Sequence, residues 1–406
     1  MPDSTREAAF ALLTAVLDHH HPLEEALDAL PPMDARDHAA GHRLAAAVLR
    51  RMGTLDAVLE PHLRRAPPFA VRHILRLGAA GLLLLDTPPH AAVGTAVELA
   101  RHHRLAPFAG LINAVLRKVA DAGPAALEGL DSPRLDTPAW LWTAWGPAAR
   151  AIAEALENPA PLDITLRPGA VPPPGGTALP TGSWRYPAGT RVRELAGFAE
   201  GAFWVQDAAA ALPARLLQVR PGERVADLCA APGGKAAQLA AAGAGLVAVE
   251  REPARMKRLR ENFARLDLSA TFVTADATDW HPEELFDAVL LDAPCSATGT
   301  ARRHPDVLHL KRPRDLGPLV ATQAHLLEAA AALLRPGGRL IYAVCSLQPE
   351  ERHATGPGLL PDPIRPEEVP GLESALTPEG TLLTTPALWP EHGGLDGFFV
   401  ARMTKP

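Results

Sequence analysis

The stretch that decides the fold is Val225-Ala226-Asp227-Leu228-Cys229-Ala230-Ala231-Pro232-Gly233-Gly234-Lys235. A short apolar run closing on an acid, a turn of small residues, and a helical pattern from Lys235 predict strand, turn and helix. The paired glycines let a ligand approach the backbone, and the helix N-terminus offers it unpaired N–H groups. From Trp204 onward short apolar runs alternate with helical ones, the signature of a parallel α/β sheet of Rossmann-like form. Strands are expected at 225–228, 246–250, 271–274, 287–292, 339–344 and 398–402, with helices at 235–242, 253–266 and 316–334.

A doubly wound sheet binds ligand beyond its strand ends, so acids there should converge. Glu250 ends the second strand, where a carboxylate can accept two hydrogen bonds from a ribose diol. Asp276 follows the third and suits an adenine amine, and Asp292 closes the fourth. A strand-end acid can also be no more than a solvated loop residue, but four in register argue for a site. Lys235 is followed by Ala236, which leaves no hydroxyl for magnesium and disfavours ATP hydrolysis. The glycines also depart from G-x-G-x-x-G, which favours S-adenosylmethionine over NAD.

Two of the three cysteines fall at strand ends, in Asp292-Ala293-Pro294-Cys295-Ser296 and Ala343-Val344-Cys345-Ser346. Free cysteine is usually buried and inert, and Cys229, inside the turn, fits that reading. Two thiols on the cofactor side suit a harder task, carbon–carbon bond formation at C5 of a pyrimidine. A thiolate adding to C6 makes the ring an enamine whose C5 attacks a sulfonium methyl, and a second group then removes the C5 proton. No Cys/His spacing suits zinc, and His19-His20-His21 reads as a helix-end loop, so no metal is expected.

At 406 residues, 47% of them hydrophobic, the chain should form two or three domains. Residues 1–123 read as an all-α bundle: Phe10, Leu13, Val16 and Leu17 recur at helical spacing, as do Leu44, Val48, Met52, Leu55 and Leu59. Breaks fall at Pro22, Pro31-Pro32, Pro67-Pro68 and Pro88-Pro89. Residues 124–200 read as a small mixed α/β connecting subdomain, with a helix near 140–156 and strands near 162–167 and 191–195; residues 201–406 form the α/β domain. The longest apolar stretch, Leu77 to Leu85, is short of the roughly 18 residues a membrane span needs. Met1 to Arg6 lacks the start of a secretory signal, and three cysteines make no disulfide framework, so a cytoplasmic protein without membrane association is expected. The net charge of −6 excludes a uniformly basic surface but not a local basic patch.

Four stretches carry a resemblance: Asp227 to Lys235, Leu291 to Gly299, Arg302-Arg303-His304-Pro305-Asp306, and Cys345-Ser346-Leu347-Gln348-Pro349-Glu350-Glu351. They resemble motifs of the Nop/Sun RNA 5-methylcytosine methyltransferases, in particular the bacterial branch acting on small-subunit (16S) ribosomal RNA. Residues 6–120 resemble the NusB-like helical RNA-binding domain that precedes the catalytic domain there, through Arg72 to Ala79, Asp86 to Val93 and Asn113 to Arg117; Gly394 to Ala401 fits too. The resemblance implies that Cys345 is the nucleophile and Cys295 the residue needed for release. It implies that Cys229, Ala230, Ala231, Pro232, Gly233, Gly234, Lys235, Glu250, Arg255, Asp276 and Asp292 line the S-adenosylmethionine and cytosine site, with Asp292 and Lys235 supporting catalysis. Two departures stand out: Val344 where the family commonly has threonine, and Gly356-Pro357-Gly358 and Pro361 to Pro363, which break the usual helix after Glu351.

Arg302, Arg303, Lys311, Arg312 and Arg314 are placed to hold RNA phosphates around a flipped cytosine. Arg50-Arg51, Arg64-Arg65, Arg101 to Arg104 and Arg117-Lys118 are candidates for an RNA face on the bundle. The expected protein is a monomeric RNA cytosine-C5 methyltransferase acting on 16S RNA or an assembly intermediate. The alternatives are a cytosine-C5 methyltransferase of transfer RNA or DNA, with Cys295 as nucleophile in the DNA case, and an RNA-binding assembly or transcription factor with a relict catalytic fold.

Overall fold

The computed structural model describes residues 3–406, so Met1 and Pro2 of the stretch read for a secretory signal lie outside it. The chain divides into two compact units, one of residues 1–157 with 303–312, the other of residues 158–302 with 313–406.

The first unit is helical: α1 (Ser4–Leu17), α2 (Leu23–Asp28), α3 (Ala35–Arg50), α4 (Met52–Leu59), α5 (Phe69–Leu84), α6 (Pro89–His102), α7 (Ala109–Ala122), α8 (Ser132–Asp136), α9 (Ala139–Trp145) and α10 (Ala149–Leu156). Asp3 and Asp34 cap α1 and α3 by accepting from Arg6 N at 3.1 Å and Arg36 N at 2.8 Å. Pro22, Pro68 and Pro88 stand immediately before α2, α5 and α6, where a missing N–H costs nothing. The periodic positions meet in one core, with Leu13, Val16, Val48, Leu55, Ile74 and Leu116 fully buried. The run Leu44 to Leu59 is carried by two helices, because the chain turns at Arg51.

Two expectations change at the end of this unit. The helix expected over 140–156 is α9 and α10, separated at Gly146, whose φ of +55° ends the first. Nor do α8 to α10 join the strands after them: Asp136 accepts from Thr54 N and Thr54 Oγ1 at 2.7 Å each, which fixes α8 on α4. The unit thus ends near residue 157, not 123. It also takes in residues 303–312, where Asp306 accepts from Leu23 N at 2.9 Å and His309 Nε2 lies 2.7 Å from the Leu49 carbonyl oxygen.

The second unit opens with a small antiparallel sheet of β1 (Leu162–Leu166), β2 (Thr177–Ala178), β3 (Trp184–Tyr186) and β4 (Phe203–Val205), in the order β2-β3-β1-β4. The strand expected at 191–195 is instead a 3-10 turn, Val192–Glu194, and Val192 and Leu195, three residues apart, pack against the cluster of Ile164, Tyr186 and Phe203. At the centre of this sheet Asp163 is fully buried and takes both prongs of Arg185, at 2.6 and 2.7 Å, plus Ala208 N at 3.0 Å. Arg185 reaches on to the Gly394 carbonyl at 2.8 Å.

The principal sheet contains β5 (Arg224–Leu228), β6 (Gly245–Glu250), β7 (Thr271–Thr274), β8 (Phe286–Asp292), β9 (Leu334–Val344), β10 (Leu360–Pro361), β11 (Leu382–Thr384) and β12 (Phe398–Thr404). Its order is β10-β12-β9-β8-β5-β6-β7, with β11 also on β12; β5 to β9 run parallel and β12 antiparallel to β9. Helices α11 (Leu212–Leu216), α12 (Gly234–Ala241), α13 (Pro253–Leu266) and α14 (Leu316–Leu333) cover it. Alternate strand residues serve two cores. Val225, Leu246, Ala288 and Ile341 pack with Leu239 of α12 and Leu259 of α13, while Ala226, Val247, Val289 and Leu340 pack with Leu326 and Ala330 of α14. Both faces are therefore covered, which is why these strands read as unbroken apolar runs.

Among the described residues no helix is long and apolar enough to cross a membrane. After Glu351 the chain makes only short turns and strands. Removing one partner of a buried ion pair leaves an uncompensated charge, so Asp163→Ala is expected to destabilise the second unit by about 3–5 kcal/mol, read by urea denaturation.

Candidate active site

The parallel order reverses beside β5, with β6 on one side and β8 on the other, and the site lies beyond the ends of those strands. The turn after β5 is shaped by Gly233, which sits at φ +108°. A Cβ there would stand 2.4 Å from Leu259 Cδ1, so both conformation and space call for glycine. Ala230 N donates to the Val249 carbonyl at 3.0 Å, binding the turn to β6.

Glu250 is buried at the end of β6 and accepts from Glu252 N at 3.0 Å and, loosely, from Ala231 N at 3.4 Å. Arg255, half exposed, reaches it at 3.5 Å and donates to the Ala231 carbonyl at 2.7 Å. Glu250 and Arg255 thus border the turn. A carboxylate has about four lone-pair sites, so Glu250 can still accept from a diol. Asp276 accepts from Thr278 N at 3.1 Å and Thr278 Oγ1 at 2.8 Å; these bonds hold its carboxyl below the usual range, and it stays ionised.

Asp227 was given no role of its own in the sequence, yet its environment is the most unusual here. It is 1% exposed and neither carboxylate oxygen has a hydrogen-bond partner. Burial, with Asp292 and Glu250 adding to it, raises its pKa well above the ordinary value. An orphaned buried acid beside the turn fits a ligand that carries positive charge.

The two thiols come together through the pairing of β8 and β9. Asp292 is in register with Ala343, and Ala293 N donates to the Ala343 carbonyl at 2.9 Å. Three residues beyond Asp292 and two beyond Ala343, Cys295 Sγ and Cys345 Sγ stand 3.4 Å apart. Gly299 N donates to the Cys345 carbonyl at 3.0 Å, and Gly299 itself lies against Gly397, where a Cβ would be 2.0 Å from the carbonyl oxygen.

Lys235, at the start of α12, donates to Asp292 Oδ2 at 2.7 Å and lies 5.0 Å over the Phe398 ring. Burial alone would lower its pKa, but the Asp292 carboxylate outweighs that and raises it, so the ammonium persists. The Cys295 thiol is pushed well up, first by its hydrogen bond with Cys345 and then by burial. A raised thiol pKa keeps the proton on Cys295. Cys229 is pushed up to about 12 by burial.

The arginines sort differently from expectation. Arg302 is 1% exposed and does not face solvent: its guanidinium lies 3.2 Å from Asp207 and 3.4 Å from Asp396, and it donates to the Gly393 carbonyl. It fastens three loops and cannot hold RNA phosphates from there. Arg303, Lys311 and Arg312 belong with the helical unit, Arg312 being exposed. Within that unit Arg50 is buried and donates to the Leu156 carbonyl at 3.2 Å, and Arg51 pairs with Asp136 at 2.9 Å. Arg64, Arg65, Arg101, Arg104, Arg117 and Lys118 remain exposed.

A family model described as 16S rRNA methyltransferase RsmB/F matches residues 214–404, and the NusB family model matches residues 3–121. "Ribosomal RNA small subunit methyltransferase B" of Xylella fastidiosa is 38% identical over 98% of this chain and 99% of the relative. The protein of that name from Thermus thermophilus is 38% identical over 92% of this chain and 90% of its own. The crystal structure of PH0851 superposes with a TM-score of 0.76 at 22% identity, covering 100% of this chain and 99% of that one. A methyltransferase homologue from Pyrococcus horikoshii gives 0.53 at 25% identity, over 68% and 96%.

Thiolate, not thiol, reacts with alkylating agents, so iodoacetamide at about pH 8 is expected to modify Cys345 ahead of Cys295 and Cys229. Peptide mass spectrometry reads the order, and Cys229 labelling should still be rising well above that pH.

Proposed function

That the chain belongs to the RsmB/F family of 16S rRNA methyltransferases is the premise from which we propose its reaction: transfer of a methyl group to C5 of a cytosine in small-subunit ribosomal RNA, through a covalent bond between Cys345 and C6. The observation that carries this reading is the 3.4 Å approach of two thiols beside the Lys235–Asp292 pair.

S-adenosylmethionine, when bound, supplies the electrophilic methyl. Its holders are the turn 229–235, Glu250 for the ribose diol, Arg255 at the rim of the turn, Asp276 for the adenine amine, and the unpartnered Asp227, which suits a cationic amino acid. Cys345, reacting as the thiolate, adds to C6 and moves electron density onto C5. Asp292 accepts from Lys235 through one oxygen, and its second oxygen serves the exocyclic amine of the base.

Once Cys345 is bonded to carbon, the hydrogen bond that its sulfur shared with Cys295 at 3.4 Å is lost. The largest cause of the raised Cys295 pKa is then gone, and Cys295 can lose its proton to solvent. As a thiolate it removes the proton from the methylated C5, the C6–S bond breaks, and Cys345 leaves with its electron pair. The opposite assignment, with Cys295 as attacker, is the order of a DNA-type enzyme, and the resemblance carried by Cys345 to Glu351 argues against it.

Cys345→Ala is expected to cut methyl transfer by about 10⁴-fold or more, as loss of a covalent nucleophile does. Cys295→Ala should slow turnover by about 10²–10⁴-fold, the span of general acid–base catalysis, and accumulate a protein–RNA adduct visible as a retarded band on denaturing gels. Retained transfer in the first variant, or no adduct in the second, contradicts the assigned roles. Bisulfite mapping of ribosomal RNA from cells with and without the gene identifies the substrate; a mark lost only from transfer RNA redirects it.

A further inference from the structure

Behind the two thiols lies a buried carboxylate that the reaction itself does not use. Glu351 is fully buried and receives a hydrogen bond at each of its available positions. Oε1 accepts from Ser296 N at 2.8 Å and from Gln323 Nε2 at 2.9 Å. Oε2 accepts from Ser296 Oγ at 2.5 Å and from Ser346 Oγ. Ser296 follows Cys295 and Ser346 follows Cys345, so a single side chain grips the residue next to each sulfur.

The grip extends in both directions. Ser296 Oγ and Ser346 Oγ are 2.9 Å apart, and Ser346 Oγ accepts from Gln348 N at 3.0 Å. Thr298 Oγ1, on the Cys295 loop, accepts from Leu347 N at 3.0 Å, on the Cys345 loop. Gln323, projecting from α14, also donates to the Pro294 carbonyl at 2.9 Å, and Tyr342 Oη donates to the Glu351 carbonyl at 2.9 Å. These loops have left the sheet, so the ladder between β8 and β9 no longer fixes their spacing.

We infer that Glu351 is a positioning residue whose carboxylate clamps the Cys295 and Cys345 loops together and so sets the distance between the two sulfurs. The inference rests on the two-thiol reading above. It explains a desolvated acid three of whose four bonds run to the residues that follow the two cysteines, the fourth coming from Gln323, which also holds the Pro294 carbonyl beside Cys295. A buried acid is costly unless its lone pairs are filled, and here that cost is met by donors that simultaneously fix the thiol loops. Misplacing a reacting group by an ångström can cost about 10²-fold in rate, which gives such a clamp its value.

The side chains also predict which replacement is tolerated. Oε1 faces the Ser296 N–H and the NH₂ group of Gln323, which only donate, whereas Oε2 faces two hydroxyls that can turn and accept. Glutamine therefore fits with its oxygen at the first position and its NH₂ at the second. Alanine removes all four bonds.

Phenylarsine oxide tests the spacing without RNA or cofactor. It condenses with two thiols, forming two As–S bonds and releasing one water with no change in oxidation state, and binds tightly only when both sulfurs face one arsenic atom. The full-length protein should bind it, and Cys295→Ala and Cys345→Ala should each lose that binding. Glu351→Ala should weaken binding by at least about 10-fold and lower kcat by about 10- to 100-fold, with the KM for S-adenosylmethionine within about threefold of wild type. Glu351→Gln should restore most of both. Should the alanine variant not fold, Ser346→Ala removes one clamp bond and should weaken arsenical binding about fivefold, as loss of one hydrogen bond does.

Arsenical binding unchanged in Glu351→Ala or Ser346→Ala overturns the inference. So does a wild-type protein that does not chelate the arsenical, or a Glu351→Ala loss confined to the KM for S-adenosylmethionine. If Cys345→Ala still transfers methyl, the reaction proposed above fails, while arsenical binding continues to report on the clamp.

Discussion

The hydrogen-bonded parallel pairing of β8 with β9 is the constraint on which the site depends. Register places Asp292 beside Ala343, so the chain leaves the sheet twice at one level and a thiol follows each exit within three residues. Beyond the sheet, Gly299 N donates to the Cys345 carbonyl at 3.0 Å, which ties the Cys295 loop to the Cys345 loop. The sheet sets the level at which both loops start, and beyond it the bonds between the loops hold the sulfurs at 3.4 Å.

Charge then differentiates two residues that are chemically alike. Lys235 remains an ammonium because Asp292 outweighs its burial, while Cys295 retains its proton through its bond to Cys345. Asp227 supplies a second asymmetry, a buried acid with no partner at the end of β5. The glycine turn and the thiol pair therefore occupy the ends of neighbouring strands, and Lys235 and Asp292 link them across the β5–β8 boundary.

Of the principal sheet, β5 to β9 and β12 were legible in the sequence, with β9 starting at residue 334 and not 339, because strands buried on both faces appear as contiguous apolar runs bounded by turns, while the short β10 and β11 were not. The strands β2 to β4 were not: two or three residues long, they carry no usable periodicity and exist through partners distant in sequence. A glycine at φ +55° split a helix that reads as continuous, and residues 303–312 joined a unit that ends near residue 157. Arg302 shows the limit most plainly. Its charge suggested phosphate, but its partners Asp207 and Asp396 lie more than ninety residues away on either side. Glu351 was visible within its motif, yet its meaning came from Ser296, 55 residues earlier.

The central claim is that Cys345 attacks and Cys295 releases, and RNA carrying 5-fluorocytosine tests it in the unaltered protein. With S-adenosylmethionine present, methylation leaves fluorine at C5 where a proton would be removed, so release fails and the bond to the enzyme persists. Digestion and mass spectrometry of the trapped complex should find the methylated base on the peptide containing Cys345. A base attached to Cys295, or no covalent complex at all, contradicts the account.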